Sequence, residues 1–376
     1  GAVRQYEGLR VLELWGTREE MAHAQGYLLA EDILLLVDDF AHSERNLPDL
    51  SIYTNLILPS QRVRFTRGPA EDELKAMLRG MQERLGAANV RSKRLERALS
   101  VDDLMAVNSI PDWNGLMCST FTAWGDMTSD QNTLTVRNLD YNFTPTMVKQ
   151  QLIAVVHGDE QRHGFVAVTW PGLLGVFTAV NDQNVTMLSH DSNGLPKSYN
   201  EGYTARGLIF RAAMENANAR TAFADVAETF KKHRVIVGNN MHVSTAYNGL
   251  DNPAQIFEYD GNGRDGGLTI RTADDDDNDQ LTSAICCTNH VRKRGEIREC
   301  NRYGILTTAL RETVKLNEKL KWQEALELGR KAAVEETLHT VVFENNKGIM
   351  HVLIPAVKNS PVTVPYEEWL KKSPTK

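Results

Sequence analysis

The chain has 376 residues, of which 41% are apolar, and a formal net charge of −7. Its length and composition predict a globular protein with a sizeable core, built as one large unit or as two or three domains. The negative charge argues against nucleic acid as a partner, and no apolar run approaches the roughly 20 residues needed to span a bilayer.

The first 117 residues are predicted to be mostly helical. One strand and three helices have clear patterns: strand Leu9–Leu14 and helices 18–38, 71–85 and 92–108. Thr17 is a suitable N-cap for the first helix, and Glu20 completes a capping box three residues later. Residues 1–15 carry charges throughout and lack an apolar signal-peptide core, so the sequence leaves the compartment open.

Strand patterns dominate from Cys118 onward, interrupted and followed by helices. The predicted strands are Ser119–Trp124, Thr133–Arg137, Gln151–His157, Phe165–Trp170, Val176–Val180, Val185–Ser189, Arg234–Val237, Ala254–Tyr259, Leu268–Arg271, Ala284–Thr288, His339–Glu344 and Gly348–Pro355. The predicted helices are Ala205–Ala217, Thr221–Lys232, Asn301–Leu320 and Gln323–Glu336. Grouped strands and grouped helices favour an α+β fold with sheets layered against helices.

One stretch carries the chemistry. Cys118-Ser119-Thr120 stands at the start of a strand, and Arg137-Asn138-Leu139-Asp140 returns on the next one. This order predicts a thiol nucleophile at a strand end with a cation and a carboxylate on the neighbouring strand. Four cysteines are too few for a disulfide scaffold and no metal motif is present, so neither a metal nor another cofactor is expected.

These two motifs resemble those of the N-terminal-nucleophile (Ntn) cysteine hydrolases. The resemblance is closest to the isopenicillin N acyltransferase family, which is related to choloylglycine hydrolase and acid ceramidase. It implies a four-layer αββα sandwich of two antiparallel sheets. It also implies a precursor that cuts itself between Met117 and Cys118. The segments 1–117 and 118–376 would then form one globular α/β heterodimer, with higher oligomers left open.

The resemblance also implies site residues. Arg137 and Asp140 would orient the new α-amine of Cys118, and a nearby cation lowers the pKa of a thiol. Asn289, in Cys287-Thr288-Asn289-His290, would stabilise the tetrahedral oxyanion. Taken alone, Arg137 and Asp140 would read as a strand-turn salt bridge, and Asn289 as a turn cap.

Four further residues are candidate pocket residues: Asn181, His190, Asp191 and His290. Relatives carry an asparagine after the strand that ends near Met187, where this chain has Leu188-Ser189-His190-Asp191. Either His190 or Asp191 gives the pocket a different chemistry, or a backbone amide is the second oxyanion donor.

The function that the resemblance implies is a cysteine amidohydrolase or acyltransferase acting on a linear, non-peptide, small-molecule amide. Its acyl group is expected to be apolar. Aromatic residues near the motif are candidates to line the acyl pocket, although aromatics at strand spacing are more often core: Phe121, Trp124, Tyr141, Phe143, Trp170 and Phe177. The alternatives are a papain-like hydrolase pairing Cys118 with His290, and a non-catalytic binding protein with the Ntn fold.

Overall fold

The computed structural model describes residues 1–41, 50–112, 117–141, 144–192, 202–246, 248–260, 267–275, 281–294 and 299–372. Its strands are β1 Ala2–Tyr6, β2 Leu9–Leu14, β3 Arg91–Ser92, β4 Arg97–Ala98, β5 Met117–Ala123, β6 Leu134–Asp140, β7 Leu152–Val156, β8 Phe165–Thr169, β9 Thr178–Asn181, β10 Thr186–Asp191, β11 Asn239–Ser244, β12 Ala254–Tyr259, β13 Leu268–Arg271, β14 Ala284–Cys287, β15 Thr337–Glu344, β16 Ile349–Leu353 and β17 Val362–Val364. Its α-helices are α1 Arg18–Leu28, α2 Ala30–Leu36, α3 Leu50–Ile52, α4 Leu58–Arg64, α5 Gly68–Leu85, α6 Val101–Ser109, α7 Pro145–Lys149, α8 Arg206–Asn216, α9 Ala222–Lys231, α10 Asn301–Lys315, α11 Trp322–Lys331 and α12 Tyr366–Lys371.

Two large sheets contain most of these strands. Nine strands form one sheet in the order β1-β2-β7-β8-β9-β10-β11-β12-β13, and six form the other in the order β14-β5-β6-β15-β16-β17. The neighbours pair antiparallel except β2 and β7, which are parallel. Strands β1 and β2 precede residue 117, so the first segment completes a sheet whose other strands belong to the second.

Buried apolar clusters show how the layers stack. One cluster lies between the sheets and joins side chains of β2, β7 and β8 to side chains of β15, β16 and β17. A second packs the other face of the nine-stranded sheet against α1, α5, α6, α8 and α9. A third packs the outer face of the six-stranded sheet against α10 and α11. The layers are therefore helix, sheet, sheet, helix, which confirms the predicted α+β sandwich.

The space between the sheets is polar near β5 and β11. His242 on β11 lies between two threonines of β5, with 2.7 Å from Nδ1 to Thr120 Oγ1 and 2.7 Å from Nε2 to Thr122 Oγ1. Burial, followed by the charges of Arg271 and Arg137, lowers the pKa of His242 to about 3. The ring is therefore neutral, and it crosslinks the two sheets through hydrogen bonds instead of charge.

Helices α1 and α5 approach each other closely because each has a glycine at the contact. A β-carbon on Gly26 would lie 2.0 Å from the Met77 carbonyl oxygen, and one on Gly80 would lie 2.2 Å from the His23 carbonyl oxygen. Both obstacles are backbone atoms, so neither side of the contact can give way by rotating a side chain.

Most predicted elements are confirmed, and three differ. The capping box is present, with Thr17 Oγ1 accepting from Glu20 N and Glu20 Oε2 accepting from Thr17 N. The helix predicted for 18–38 breaks at Leu29, where α1 ends and α2 begins. The prediction of a helix over 92–108 is wrong for its first half, which forms the β3–β4 hairpin. Helix α6 begins only after Ser100, which forms reciprocal hydrogen bonds with Asp103: the Ser100 N–H donates to the Asp103 carboxylate, and the Asp103 N–H donates to Ser100 Oγ.

The strand predicted at Arg234–Val237 is also wrong, because the strand in this region is β11, Asn239–Ser244. Among the described residues, no helix is long and apolar enough to cross a membrane.

Candidate active site

Cys118 is the second residue of β5, a strand paired with β14 on one side and with β6 on the other. Its side chain is fully buried, whereas the preceding Met117 is 48% exposed. The Arg137 guanidinium NH2 donates to the Cys118 sulfur at 3.2 Å. The Cys118 backbone N–H donates to Asn289 Oδ1 at 2.8 Å. Both the sulfur and the nitrogen of this residue are thus held by predicted site residues.

Burial dominates the electrostatics of the thiol. It raises the pKa of Cys118 to about 11, because a thiolate without water is costly; the Arg137 cation opposes this shift and the Asp140 carboxylate adds to it. Burial likewise lowers the pKa of Arg137, which the Cys118 thiolate and the Asp140 carboxylate counteract. Arg137 is fixed by a second hydrogen bond, from NH1 to the Ser189 carbonyl oxygen at 2.8 Å.

Asp140 lies at the end of β6, in register with Met117 on β5. Its carboxylate accepts from Arg302 NH1 at 2.7 Å and from Thr337 Oγ1 at 2.6 Å. Burial raises the pKa of Asp140, and the Thr337 hydrogen bond and the Arg302 charge limit that rise. Asp140 is therefore a buried carboxylate held by a hydroxyl and a cation, opposite Met117 on the neighbouring strand.

Asn289 connects three parts of the site. Its Oδ1 accepts from the Cys118 N–H and also from Arg302 NH2 at 2.9 Å, and its Nδ2 donates to the Asp191 carbonyl oxygen at 2.9 Å. The amide oxygen of Asn289 thus faces the backbone nitrogen of Cys118. The oxyanion role of Asn289 stays a prediction.

Two pocket candidates, His190 and Asp191, lie at the end of β10 beside this network. His190 Nδ1 donates to the Asn240 carbonyl oxygen at 3.0 Å, and burial lowers the pKa of the ring well below its usual value, with Arg137 as the next cause. The Asp191 carboxylate forms an ion pair with Arg206.

The other two candidates have mainly structural contacts. Asn181 Oδ1 accepts from the backbone of its own turn, and its Nδ2 donates to Met214 and Ala217 carbonyl oxygens at the end of α8. His290 is half-buried and follows Asn289, and its carbonyl oxygen accepts from Asn240 Nδ2 at 3.1 Å.

The sequence did not assign roles to three side chains that hold the site: Arg302, Thr337 and Arg206. Arg302 is the second residue of the predicted helix Asn301–Leu320. The available signal is that the helix dipole disfavours a cation at this position, so an arginine there needs a partner elsewhere. Thr337 has no such signal.

An apolar cavity of about 30 Å³ is lined in part by Tyr141, which follows Asp140 in the chain, and Cys118 is not among its lining residues. Three of the predicted aromatics line it, namely Tyr141, Trp170 and Phe177, and they belong to the same buried cluster as Cys118. Phe121 instead packs under α10 and α11, and Trp124 packs against β12. Phe143 lies outside the described residues.

Within the described ranges, no three His, Cys, Asp or Glu side chains gather where they could hold a metal ion. Around Cys118, Arg302 forms an ion pair with Asp140 and Arg206 forms one with Asp191. Arg137 instead donates to the Cys118 sulfur and the Ser189 carbonyl oxygen.

No protein-family model and no curated protein matches this sequence. Among solved structures, an N-acylethanolamine-hydrolyzing acid amidase ortholog from Caenorhabditis elegans is 13% identical, with 61% of this chain and 93% of that chain covered and a TM-score of 0.46. The C2A mutant of conjugated bile acid hydrolase from Clostridium perfringens is 10% identical, with 66% and 92% covered and a TM-score of 0.42. Penicillin V acylase from Agrobacterium tumefaciens is 11% identical, with 65% and 84% covered and a TM-score of 0.40. These three structures are ones to which the chain is similar at 10–13% identity.

Proposed function

We propose that this protein is a self-processing cysteine amidohydrolase or acyltransferase. It cleaves a linear, non-peptide amide through an acyl-thioester on Cys118, after cutting its own Met117–Cys118 bond. The observation that carries the proposal is the double fixation of Cys118, by Arg137 at the sulfur and by Asn289 at the nitrogen. A buried backbone N–H needs an acceptor in any case, but a cysteine placed only for packing needs no guanidinium at its sulfur.

Self-cleavage begins at the buried thiol. Burial raises the pKa of Cys118, so at neutral pH the residue is mainly a thiol and loses its proton as it attacks. The sulfur bonds to the Met117 carbonyl carbon, the C–N bond breaks, and the proton released by the thiol ends on the Cys118 nitrogen, which becomes an amine. Water then hydrolyses the thioester, which frees the thiol and leaves a carboxylate on Met117.

The cut supplies what the uncut site lacks, a general base. A free α-amine has a pKa near 7.7–8.0, so a large fraction is neutral at physiological pH. It takes the thiol proton as the sulfur attacks the substrate carbonyl, and it returns that proton to the departing amine. The Asn289 oxygen, now an acceptor for the Cys118 N–H, would then hold the amine in place.

The acyl half of the substrate is proposed to be apolar because Tyr141, Trp170 and Phe177 belong to the same buried apolar cluster as Cys118. Apolar walls favour a hydrocarbon or aryl group over a charged one. Resolution of the thioester by water gives hydrolysis, and resolution by an amine gives acyl transfer.

Mass spectrometry and a denaturing gel test self-processing directly. The wild-type 42.2 kDa chain should convert to two fragments, one of which begins at Cys118. Cys118→Ala should stay at full mass, and Cys286→Ala, a buried cysteine on the helix-facing side of β14, should process like the wild type. A wild-type chain that stays in one piece after prolonged incubation would remove the self-processing claim.

Activity is tested with N-acyl p-nitroanilides carrying acetyl, octanoyl and phenylacetyl groups. Faster turnover of the two larger acyl groups is expected, and equal turnover of all three would contradict the apolar pocket. Selective alkylation of the mature α-amine addresses the alternatives, because a Cys118–His290 enzyme would keep its activity. A non-catalytic protein would neither fragment nor release nitroaniline.

A further inference from the structure

Arg206 is a fully buried arginine at the first position of α8, and it joins segments that are distant in the chain. Its guanidinium NH2 donates to the Pro111 carbonyl oxygen. Its NH1 donates to the Asp191 carboxylate and, at 2.9 Å, to Asn239 Oδ1. Its backbone N–H donates to Asp112 Oδ1 at 3.1 Å. One residue thus binds both the end of the first segment and the end of β10.

Asp112 also serves as a cap for α8. The N-cap position, Ala205, has no side chain that can accept a hydrogen bond from the helix. The Asp112 side chain accepts the Arg206 backbone N–H from outside the helix and so acts as the cap. The end of the first segment is therefore anchored to α8 by two contacts of Arg206, one from its backbone and one from its side chain.

The same network reaches the nucleophile from the other direction. The Asp191 carbonyl oxygen accepts from Asn289 Nδ2, and Asn289 Oδ1 accepts from the Cys118 N–H. One connected set of hydrogen bonds therefore binds both Asp112, upstream of the Met117–Cys118 bond, and Cys118, downstream of it. Arg206 is the member of that set that holds the upstream side.

We infer that Arg206 is a positioning residue for self-cleavage: by holding Pro111 and Asp112, upstream of the Met117–Cys118 bond, it keeps the Met117 carbonyl within reach of the Cys118 sulfur. This inference rests on the proposed self-processing. Misplacing a reacting group by about 1 Å costs roughly 10²-fold in rate. Lysine cannot replace the arginine, because the fork reaches Pro111 and Asp191 in two directions and a single ammonium cannot.

The test compares Arg206→Lys with Arg211→Lys. Arg211 is a matched control because it lies on the same helix, is nearly buried, and binds two carboxylates, Glu73 at 2.6 Å and Glu215 at 2.8 Å, outside the site. The measurements are the rate of conversion of full-length chain to fragments and the melting temperature. Arg206→Lys should process about 100-fold more slowly than the wild type. Arg211→Lys should lose a similar amount of melting temperature, but its processing rate should stay within about 3-fold of the wild-type rate.

Added hydroxylamine separates the chemical steps. It cleaves a thioester that has already formed, so it should not restore the rate of Arg206→Lys if attack on the Met117 carbonyl is the slowed step. Full rescue by hydroxylamine would overturn the inference. So would processing of Arg206→Lys at the wild-type rate, or an equal slowing in Arg211→Lys, which would indicate a general loss of stability.

A second variant covers the case in which Arg206→Lys does not fold. Asp112→Ala keeps the guanidinium and its Asp191 contact but removes the acceptor for the Arg206 N–H, and it should slow processing about 10-fold; a wild-type rate would overturn the inference. The proposed function fails separately: a wild-type chain that never fragments removes self-processing itself, whereas fragmentation that is indifferent to Arg206 and Asp112 removes only this inference.

Discussion

Replacing Arg302 should destabilise the protein and slow its self-cleavage, because one guanidinium holds two site residues. Its NH1 lies 2.7 Å from Asp140 Oδ2 and its NH2 lies 2.9 Å from Asn289 Oδ1, and its side chain is only 15% exposed. Arg302 is also the second residue of α10, where the helix dipole disfavours a cation. Its position is therefore explained by these two contacts and not by the helix.

The size of the effect follows from burial. Removing one partner of a buried ion pair costs about 3–5 kcal/mol, since it leaves a charge without compensation. The Asp140 carboxyl keeps its Thr337 hydrogen bond, and burial already raises its pKa, so it can take up a proton and limit the loss. We therefore expect Arg302→Met to cost about 3 kcal/mol, the lower end of that range. Arg302→Lys, which can keep one of the two hydrogen bonds, should cost about 1.5 kcal/mol.

Urea unfolding of the full-length chain measures these values, with Cys118→Ala as the background so that all proteins stay uncut. Arg330→Met is the matched control, because Arg330 is 52% exposed and pairs with an exposed Glu327 on α11; it should change stability by less than about 0.5 kcal/mol. On the wild-type background, Arg302→Met should slow fragment formation about 100-fold. Stability and cleavage equal to those of Arg330→Met would refute the reasoning.

Three further outcomes are expected. Burial raises the pKa of Asp112 from an ordinary value near 4 to about 7. The stability that protonated Asp112 contributes is therefore complete below about pH 4 and is lost as the pH rises through 7. The drop in melting temperature between pH 5 and pH 8 should be smaller in Asp112→Asn than in the wild type, and an unchanged drop would contradict this. Gly26→Ala should cost about 1–3 kcal/mol in urea unfolding because its β-carbon would meet the Met77 carbonyl, whereas Gly304→Ala, with open space in α10, should not destabilise. After cleavage, fragments 1–117 and 118–376 should co-elute in gel filtration without denaturant, and separate elution would contradict the shared sheet and core.

The apolar strands and helices were predictable because their side chains alternate or repeat with the period of the structure. Ala254–Tyr259 and Leu268–Arg271 have the predicted bounds, as does Leu9–Leu14. Strand β11 was missed for the opposite reason. Its sequence, Asn239–Ser244, is polar at most positions, and its His242 is buried against threonines of the other sheet. Hydrophobic periodicity cannot detect a strand whose buried face is hydrogen-bonded.

The candidate site was predicted in part because its nucleophile and its strand partners lie close in sequence. Cys118, Arg137 and Asp140 come from two paired strands, so their order in the chain already indicated their proximity. Arg302, Thr337 and Arg206 come from elements more than 60 residues away from these strands. Thr337 is brought in by the pairing of β15 with β6, and Arg302 and Arg206 belong to the helices α10 and α8. Long-range partners of this kind leave no local pattern to find.

The parallel pairing of β2 with β7 makes one half of the molecule dependent on the other. In an uncut chain, the covalent link keeps these strands at a high effective concentration, and an unfolded molecule can rebuild the sheet unaided. Cutting at Met117 would turn the edge of that sheet into a separate polypeptide, whose return depends on protein concentration. Maturation would then be a one-way event: heat inactivation of the cut enzyme would follow its unfolding rate, and a dilute sample would not recover on cooling.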